Sequence, residues 1–79
     1  MGELKGRIVI SLKGKDKGSL LVIAEDEFEI LVTNGADRPL ERLKKKNLKH
    51  LRTTNSFLDE KQMATNSDIR KALKAFEER

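Results

Sequence analysis

Three short segments near the start of the chain have the apolar composition of β strands. Residues 7–12 and 19–24 are apolar on both faces of an extended chain, whereas residues 27–33 place Phe28, Ile30 and Val32 on one face. Turn-forming residues, among them the acidic pair at 25–26, separate the segments at intervals of about ten residues. This spacing predicts a small β meander or barrel.

The next part of the chain has a less regular pattern. Pro39 is compatible only with a strand start or a sheet edge. We expect a fourth strand at about residues 40–44, a basic turn at 44–47 and a short fifth strand at 48–52; a charged loop without strands is the alternative. The polar run at 53–56 predicts a boundary, and residues 57–63 could form one helical turn or an irregular segment.

The clearest helical pattern lies at the end of the chain. Thr65 and Asp68 have the spacing of a capping box. The apolar positions that follow have helical spacing and form one stripe: Ile69, Ala72, Leu73 and Phe76. Because a helix of about 13 residues is marginal in isolation, we expect it to cover the outer apolar face of the first two strands.

Length and composition limit the class of protein. The chain has 79 residues and no cysteine, so it predicts one small domain without disulfides, as suits a reducing cytoplasm. The longest apolar run, residues 20–24, is far shorter than the roughly 20 residues of a membrane span, and the start of the chain lacks the apolar core of a signal peptide. We therefore expect a cytoplasmic protein that does not enter a membrane.

The charges are unevenly distributed along the chain. The net charge is +4, and basic residues cluster at 5–18 and 38–52, whereas residues 25–29 hold four acids and no base. Clustered positive charge is typical of a surface that binds a polyanion. A merely solubilising surface is the alternative.

The loop between the first two predicted strands is the leading candidate site. Lys13, Lys15 and Lys17 alternate there with Gly14, Asp16 and Gly18. Lysines make sequence-independent contacts to phosphates, and backbone N–H groups near the two glycines could add hydrogen bonds to phosphate oxygens. We expect the aspartate to hold the turn through its own backbone. An ordinary charged hairpin loop is the alternative.

The second basic cluster supplies further candidates. In a meander, the loops at 13–18 and 34–38 share one end, so Arg38 could extend the surface of the first loop. Residues 44–46 would fall nearer the acidic turn unless the barrel bends. Two outcomes stay open for them: they contact RNA, or they only balance the negative charge of that turn. The complete set of candidate RNA-binding residues is Arg7, Lys13, Gly14, Lys15, Lys17, Gly18, Arg38, Arg42, Lys44, Lys45, Lys46 and Lys49.

The remaining residues offer little other chemistry. Phe28 and Phe76 fit apolar stripes and are expected in the core, which leaves Phe57 as the one candidate for stacking on a base. His50 is the only histidine and has no cysteine with which to bind zinc. We expect no enzymatic activity, no cofactor, no metal and no small-molecule substrate, and recognition of a folded RNA backbone rather than unpaired bases.

The loop and its flanking strands resemble a KOW motif, which occurs in large-subunit ribosomal proteins and in transcription elongation factors of the NusG and Spt types. The resemblance rests on Gly6, Val9, Gly14, Lys17, Gly18 and the apolar segment 20–23. The runs at 46–51 and 68–74 resemble a narrower group of short bacterial KOW-domain proteins, related to a large-subunit ribosomal protein of archaea and eukaryotes. Together these matches span residues 6–76. Leu20 and Leu21 stand where many KOW motifs carry a further glycine.

The resemblance implies a fold and a function. The fold is mainly β: residues 1–52 would form a five-stranded SH3-like barrel, and residues 53–79 a linker and a C-terminal helix packed on it. Val9 would face the barrel interior, leaving Ile8 and Ile10 for the helix. The implied function is RNA binding and ribosome association, with the loop between the first two strands in contact with RNA. A protein–protein adaptor that uses the barrel or the helix is the alternative function.

Overall fold

Five strands and one helix make up a computed structural model that describes residues 4–78. The strands are β1 (Arg7–Ser11), β2 (Leu20–Glu25), β3 (Leu31–Thr33), β4 (Lys44–Lys45) and β5 (Leu51–Phe57), and the helix is α1 (Asn66–Glu77). All strand pairs are antiparallel, in the order β4-β3-β2-β1-β5. This mainly β fold with a C-terminal helix confirms the predicted fold class.

The two faces of β1 and β2 line two separate apolar clusters. Successive side chains of a strand point to opposite faces, so Val9 lies inside the curled sheet while Ile8 lies against the helix. The interior cluster consists of Val9, Leu21, Ile23, Val32 and Leu51. The helix-side cluster consists of Ile8, Val22, Leu58, Ile69 and Leu73. The predicted facing of Val9 and Ile8 is confirmed, whereas Ile10 is only half-buried.

The C-terminal helix begins where its capping pattern predicts. Thr65 is the N-cap, and its hydroxyl accepts a hydrogen bond of 3.1 Å from the backbone N–H of Asp68. Ile69 and Leu73 are buried, and Phe76 packs at the edge of the same cluster. The predicted apolar stripe, the docking of the helix on the strands and the core position of Phe76 are therefore confirmed.

The third strand is shorter than predicted, and one core assignment is wrong. β3 begins only at Leu31, and residues 27–29 form a bend in which the Phe28 side chain is 91% exposed. The pairing register between β2 and β3 shifts between Ile23 and Glu25. Glu27 and Glu29 on either side of Phe28 favour solvent over a sheet face, so residues 27–29 turn outward and carry the phenylalanine with them.

The predicted fourth and fifth strands are displaced. Leu40–Arg42 is a 3₁₀ turn, in which the backbone N–H of Arg42 donates to the Pro39 carbonyl at 3.0 Å. Because proline starts such turns readily and has no N–H for a ladder, β4 is reduced to two residues. Leu48–His50 is a second 3₁₀ turn, and β5 starts only at Leu51.

The polar run expected to end the barrel is part of a strand instead. β5 continues to Phe57, and the Thr54 hydroxyl donates to the Ile8 carbonyl at 2.7 Å. Polar residues are acceptable because this strand pairs along one side only, with β1, and its outer positions face solvent. Strand β5 runs across residue 52, where the barrel was expected to end. The division of the chain into a barrel at 1–52 and a linker with a helix at 53–79 stays a prediction.

The first turn of α1 is fixed against the loop that follows β3. The Asn66 side-chain oxygen accepts from the Leu40 backbone N–H at 2.8 Å, and Arg70 donates to the Gly35 carbonyl. Gly35 has a φ of +74°, and a Cβ at this position would collide with the carbonyl oxygen of Asn66. The glycine therefore permits the close approach of helix and loop.

We expect Gly35→Ala to lower the free energy of unfolding by at least about 2 kcal/mol, because it adds a backbone clash to the cost of positive φ. Gly18→Ala is the matched control: its φ is +88°, yet no atom lies within 4 Å of the added Cβ. That variant should lose only about 1 kcal/mol. Urea denaturation measures both, and equal losses would contradict the proposed clash.

Candidate nucleic-acid interface

The β1–β2 loop, residues 12–19, is closed by a compact set of backbone hydrogen bonds. The Gly18 N–H donates to the Ser11 carbonyl at 2.7 Å, and the Ser11 N–H donates to the Ser19 carbonyl at 3.0 Å. Gly14 and Gly18 both have positive φ, near +90°, which glycine adopts without strain. The Gly18 N–H is therefore used inside the loop, and contact between phosphates and the other backbone N–H groups near the two glycines stays a prediction.

A shielded ion pair lies beneath this loop. The Lys46 Nζ is 2.9 Å from the Asp16 Oδ1, and their side chains are only 10% and 9% exposed. The Lys46 ammonium also donates to the Lys13 carbonyl at 3.1 Å, and the Ser11 hydroxyl donates to Asp16 at 2.8 Å. Asp16 thus holds the loop in two ways: its backbone carbonyl accepts a hydrogen bond of 2.9 Å from the Ser19 N–H, as a turn held through the backbone requires, and its side chain adds the bonds to Ser11 and Lys46.

Lys46 and Lys45 have different surroundings although they are adjacent in sequence. The Lys46 backbone lies beside Ile30, where its N–H donates to the Ile30 carbonyl, but its side chain crosses to the β1–β2 loop. Lys45 instead pairs with Glu29 of the acidic turn, with 3.2 Å between nitrogen and oxygen. The barrel bends enough to bring one lysine of the 44–46 run to the loop and leaves another at the acidic turn.

The pKa of the Asp16 carboxyl is lowered in the folded protein. Burial raises it, but the hydrogen bonds from Lys46 and Ser11 and the charge of Lys46 together outweigh that effect. A carboxyl group whose pKa is lowered by folding stabilises the fold at pH values above its unfolded-state pKa. This stabilisation is lost as the pH falls through the folded-state pKa. The loop is therefore held most firmly when Asp16 is ionised.

The 3₁₀ turn at Leu48–His50 lies directly beside the loop. The His50 carbonyl accepts a hydrogen bond from the Leu12 N–H at 2.8 Å. The pKa of His50 is lowered by desolvation and by the positive charges of Lys13, Lys49 and Lys46. Residues from the loop and from the turn before β5 therefore produce one region of positive potential.

Four lysines of this region project into solvent. We call them the loop face; its members are Lys13, Lys15, Lys17 and Lys49, all exposed. Among residues 4–78, no carboxylate lies within ion-pair distance of these four side chains. The fold therefore gathers free ammonium groups from the loop and from the adjacent 3₁₀ turn, and the paired Lys46 supports the loop.

The other predicted residues have separate locations. Arg7 lies at the opposite end of β1, where it donates to the Thr54 carbonyl at 2.9 Å and lies 4.5 Å from the centre of the Phe57 ring. Arg38 is half-buried in the loop at 34–38, at the same end of the sheet as the loop face. Arg42 and Lys44 are exposed, on the first 3₁₀ turn and on β4.

Sequence reasoning missed two residues of this site. Ser11 is buried, two positions after Val9, and a polar residue in an apolar strand was the available signal. His50 was recognised as isolated, but its proximity to three lysines depends on the 3₁₀ turn. Among residues 4–78, the structure shows no helix able to cross a membrane and no cluster of side chains suited to a metal ion.

We expect Lys46→Met to lower the free energy of unfolding by about 1–3 kcal/mol, because Asp16 would lose hydrogen bonds in a shielded position. Lys45→Met is the matched control, since it removes the same charge from an exposed ion pair and should cost no more than about 1 kcal/mol. Urea denaturation at neutral pH measures both variants. Equal losses would argue against a special role for the Lys46–Asp16 pair.

We expect the pH to affect stability through His50. Its folded-state pKa lies below the ordinary value of 6.5. As the pH falls, the unfolded chain therefore takes up a proton on His50 at a higher pH than the folded protein does, and stability is lost as the pH falls from 6.5 through the folded-state pKa. The melting temperature of wild type should fall more between pH 7.5 and 5.5 than that of His50→Gln. An NMR titration of the ring should show its pKa rising in Lys13→Gln, and no change would contradict the charge assignment.

The chain resembles ribosomal proteins of known identity, although no family model matches it. It is 31% identical over 70 residues to the large ribosomal subunit protein eL14 of Saccharolobus islandicus strain L.S.2.15, covering 86% of this chain and 73% of that protein. The proteins of strains M.14.25 and M.16.27 match to the same extent. The similarity agrees with the KOW-type ribosomal resemblance, while membership of the short bacterial group stays a prediction. The chain belongs to the eL14 family of large ribosomal subunit proteins.

Proposed function

We propose that this protein binds structured ribosomal RNA through the loop face. The observation that carries the proposal is the set of four exposed lysines without carboxylate partners, three of them on a loop fixed by the shielded Lys46–Asp16 pair and the fourth on the adjacent 3₁₀ turn. Free ammonium groups attract phosphates and release condensed counterions when they bind them. Because the loop is already ordered by internal hydrogen bonds, little conformational entropy is lost on binding.

The family supports the same function. The relatives with 31% identity are named as proteins of the large ribosomal subunit. By extension, this protein would associate with the ribosome in the cytoplasm as a non-catalytic RNA-binding component. The partner would be ribosomal RNA, with no small-molecule substrate or cofactor.

The chemistry of the loop face favours the RNA backbone over unpaired bases. Reading single-stranded bases usually requires aromatic side chains on which they stack. The chain has three phenylalanines and neither tyrosine nor tryptophan, and none of the three lies in the loop face. Lysine ammonium groups act as point charges on phosphates, so the proposed target is a folded RNA recognised by its shape and charge.

The candidate residues fall into two groups under this proposal. The direct contacts are the loop face and, at its margin, Arg38. Lys46 acts as a positioning residue through Asp16, while Arg7 and Lys45 already have partners within the protein. Arg42 and Lys44 are exposed and remain available as additional contacts.

We expect simultaneous Lys13→Glu, Lys15→Glu and Lys17→Glu substitutions to weaken binding to a large-subunit ribosomal RNA fragment by at least about 100-fold in 100 mM salt. Each lost phosphate contact should also reduce the slope of log affinity against log salt by roughly 1. Filter binding or fluorescence anisotropy at several salt concentrations measures both quantities.

The matched control carries the same change of charge on the helix side: Lys61→Glu, Lys71→Glu and Lys74→Glu, all at exposed positions. It should keep most of the affinity and nearly the full salt slope. Equal weakening by the two variants would show that only net charge matters and would refute the loop assignment. Binding that is insensitive to salt would instead favour the protein–protein adaptor.

A further inference from the structure

The turn between β2 and β3 exposes an aromatic ring almost completely. Phe28 is 91% exposed, whereas Phe76 packs at the edge of the helix-side cluster and Phe57 is partly covered by Arg7. An exposed phenylalanine contributes nothing to the core. Aromatic side chains, phenylalanine included, are enriched in protein–protein interfaces relative to the rest of the surface.

The neighbours of Phe28 in sequence are acidic. Glu27 and Glu29 flank Phe28 directly, and Glu25 and Asp26 precede them. We call residues 25–29 the acidic tip. The Lys45 ion pair offsets part of its charge at Glu29, and the exposed Glu27 has no cationic partner in the described part of the chain. The tip therefore joins an apolar anchor to a negative rim.

The base of the acidic tip is anchored to the rest of the fold. Asp26 is buried, and its Oδ2 accepts a hydrogen bond of 2.7 Å from the Leu4 backbone N–H. Glu25 is paired with Leu31 across the ladder between β2 and β3. These contacts hold both sides of the turn, so the segment that carries Phe28 starts and ends at anchored residues.

The acidic tip and the loop face lie at opposite ends of β2. The loop enters the strand at Leu20, and the tip follows its end at Glu25. Six residues of extended chain separate them by roughly 20 Å. A partner at the tip can therefore bind while the loop face is occupied.

We propose that the acidic tip docks Phe28 into an apolar pocket on a second protein, one whose pocket is rimmed by lysine or arginine. Charge complementarity selects such a partner, because basic side chains at the rim would face Glu27 and Glu29. RNA is disfavoured, since the same carboxylates repel phosphates.

A second copy of this chain is a weaker candidate for the partner than a different protein. Its loop face is basic, but RNA occupies that face under the proposed function. A contact between the opposite ends of two copies would also be heterologous and would not close into a symmetric dimer.

Site-specific photo-crosslinking in cells tests the proposal. A benzoyl-phenylalanine at position 28 should form an adduct with a protein, and mass spectrometry should map it to a segment with apolar residues beside lysine or arginine. Adducts with RNA or with a second copy, or no reproducible adduct, would overturn the proposal. The same probe at position 15 should attach to RNA; its failure would count against the proposed function alone.

Affinity measurements with the purified crosslinked partner give the second test. Phe28→Ala should weaken binding at least tenfold, because it removes the anchor. Glu27→Lys should slow association and reverse its salt dependence. Phe57→Ala is the aromatic control and should stay within about twofold of wild type.

Melting curves of Phe28→Ala and Glu27→Lys should match that of wild type, because both side chains are exposed. A normal fold with unchanged affinity in Phe28→Ala would overturn the docking assignment.

Discussion

The shielded pair between Lys46 and Asp16 is the interaction on which the arrangement of the site depends. It connects the segment between β4 and β5 to the β1–β2 loop, through two residues that lie 30 positions apart in sequence. Charges with this little exposure are costly to desolvate unless they are well hydrogen-bonded, and Ser11 and the Lys13 carbonyl supply those bonds. The pair thereby orders the loop from which Lys13, Lys15 and Lys17 project, so a lysine that is itself shielded helps to determine where these three exposed ones lie.

The molecule has two ends of opposite character. At one end of β2 the loop face presents free positive charge, and at the other the acidic tip presents a phenylalanine among carboxylates. The modest net charge of +4 conceals this separation.

Local patterns predicted much of the fold and part of the site. The alternation in β1, the capping pair Thr65 and Asp68 and the apolar stripe of α1 all appear as expected, because each depends on neighbours within a few residues. The loop lysines were also identified directly from their spacing. The expected core position of Phe28 was wrong. Alternation indicates which residues share a face only where the chain is a strand, and β3 begins three residues after Phe28, at Leu31. The pairing of β2 with β3 shifts register after Ile23 and ends at Glu25 and Leu31, before it reaches Phe28.

By itself, the sequence determined the fold class, the two faces of the first strands, the helix and the basic character of the β1–β2 loop. These features follow from periodicity, capping and local charge, which act over short distances along the chain. Only the tertiary structure decided which lysines of the 38–52 cluster reach that loop. The bend of the barrel sends Lys46 to Asp16 and leaves Lys45 with Glu29. Adjacent residues with the same side chain have different surroundings because strand pairing, rather than composition, sets the direction in which each one points.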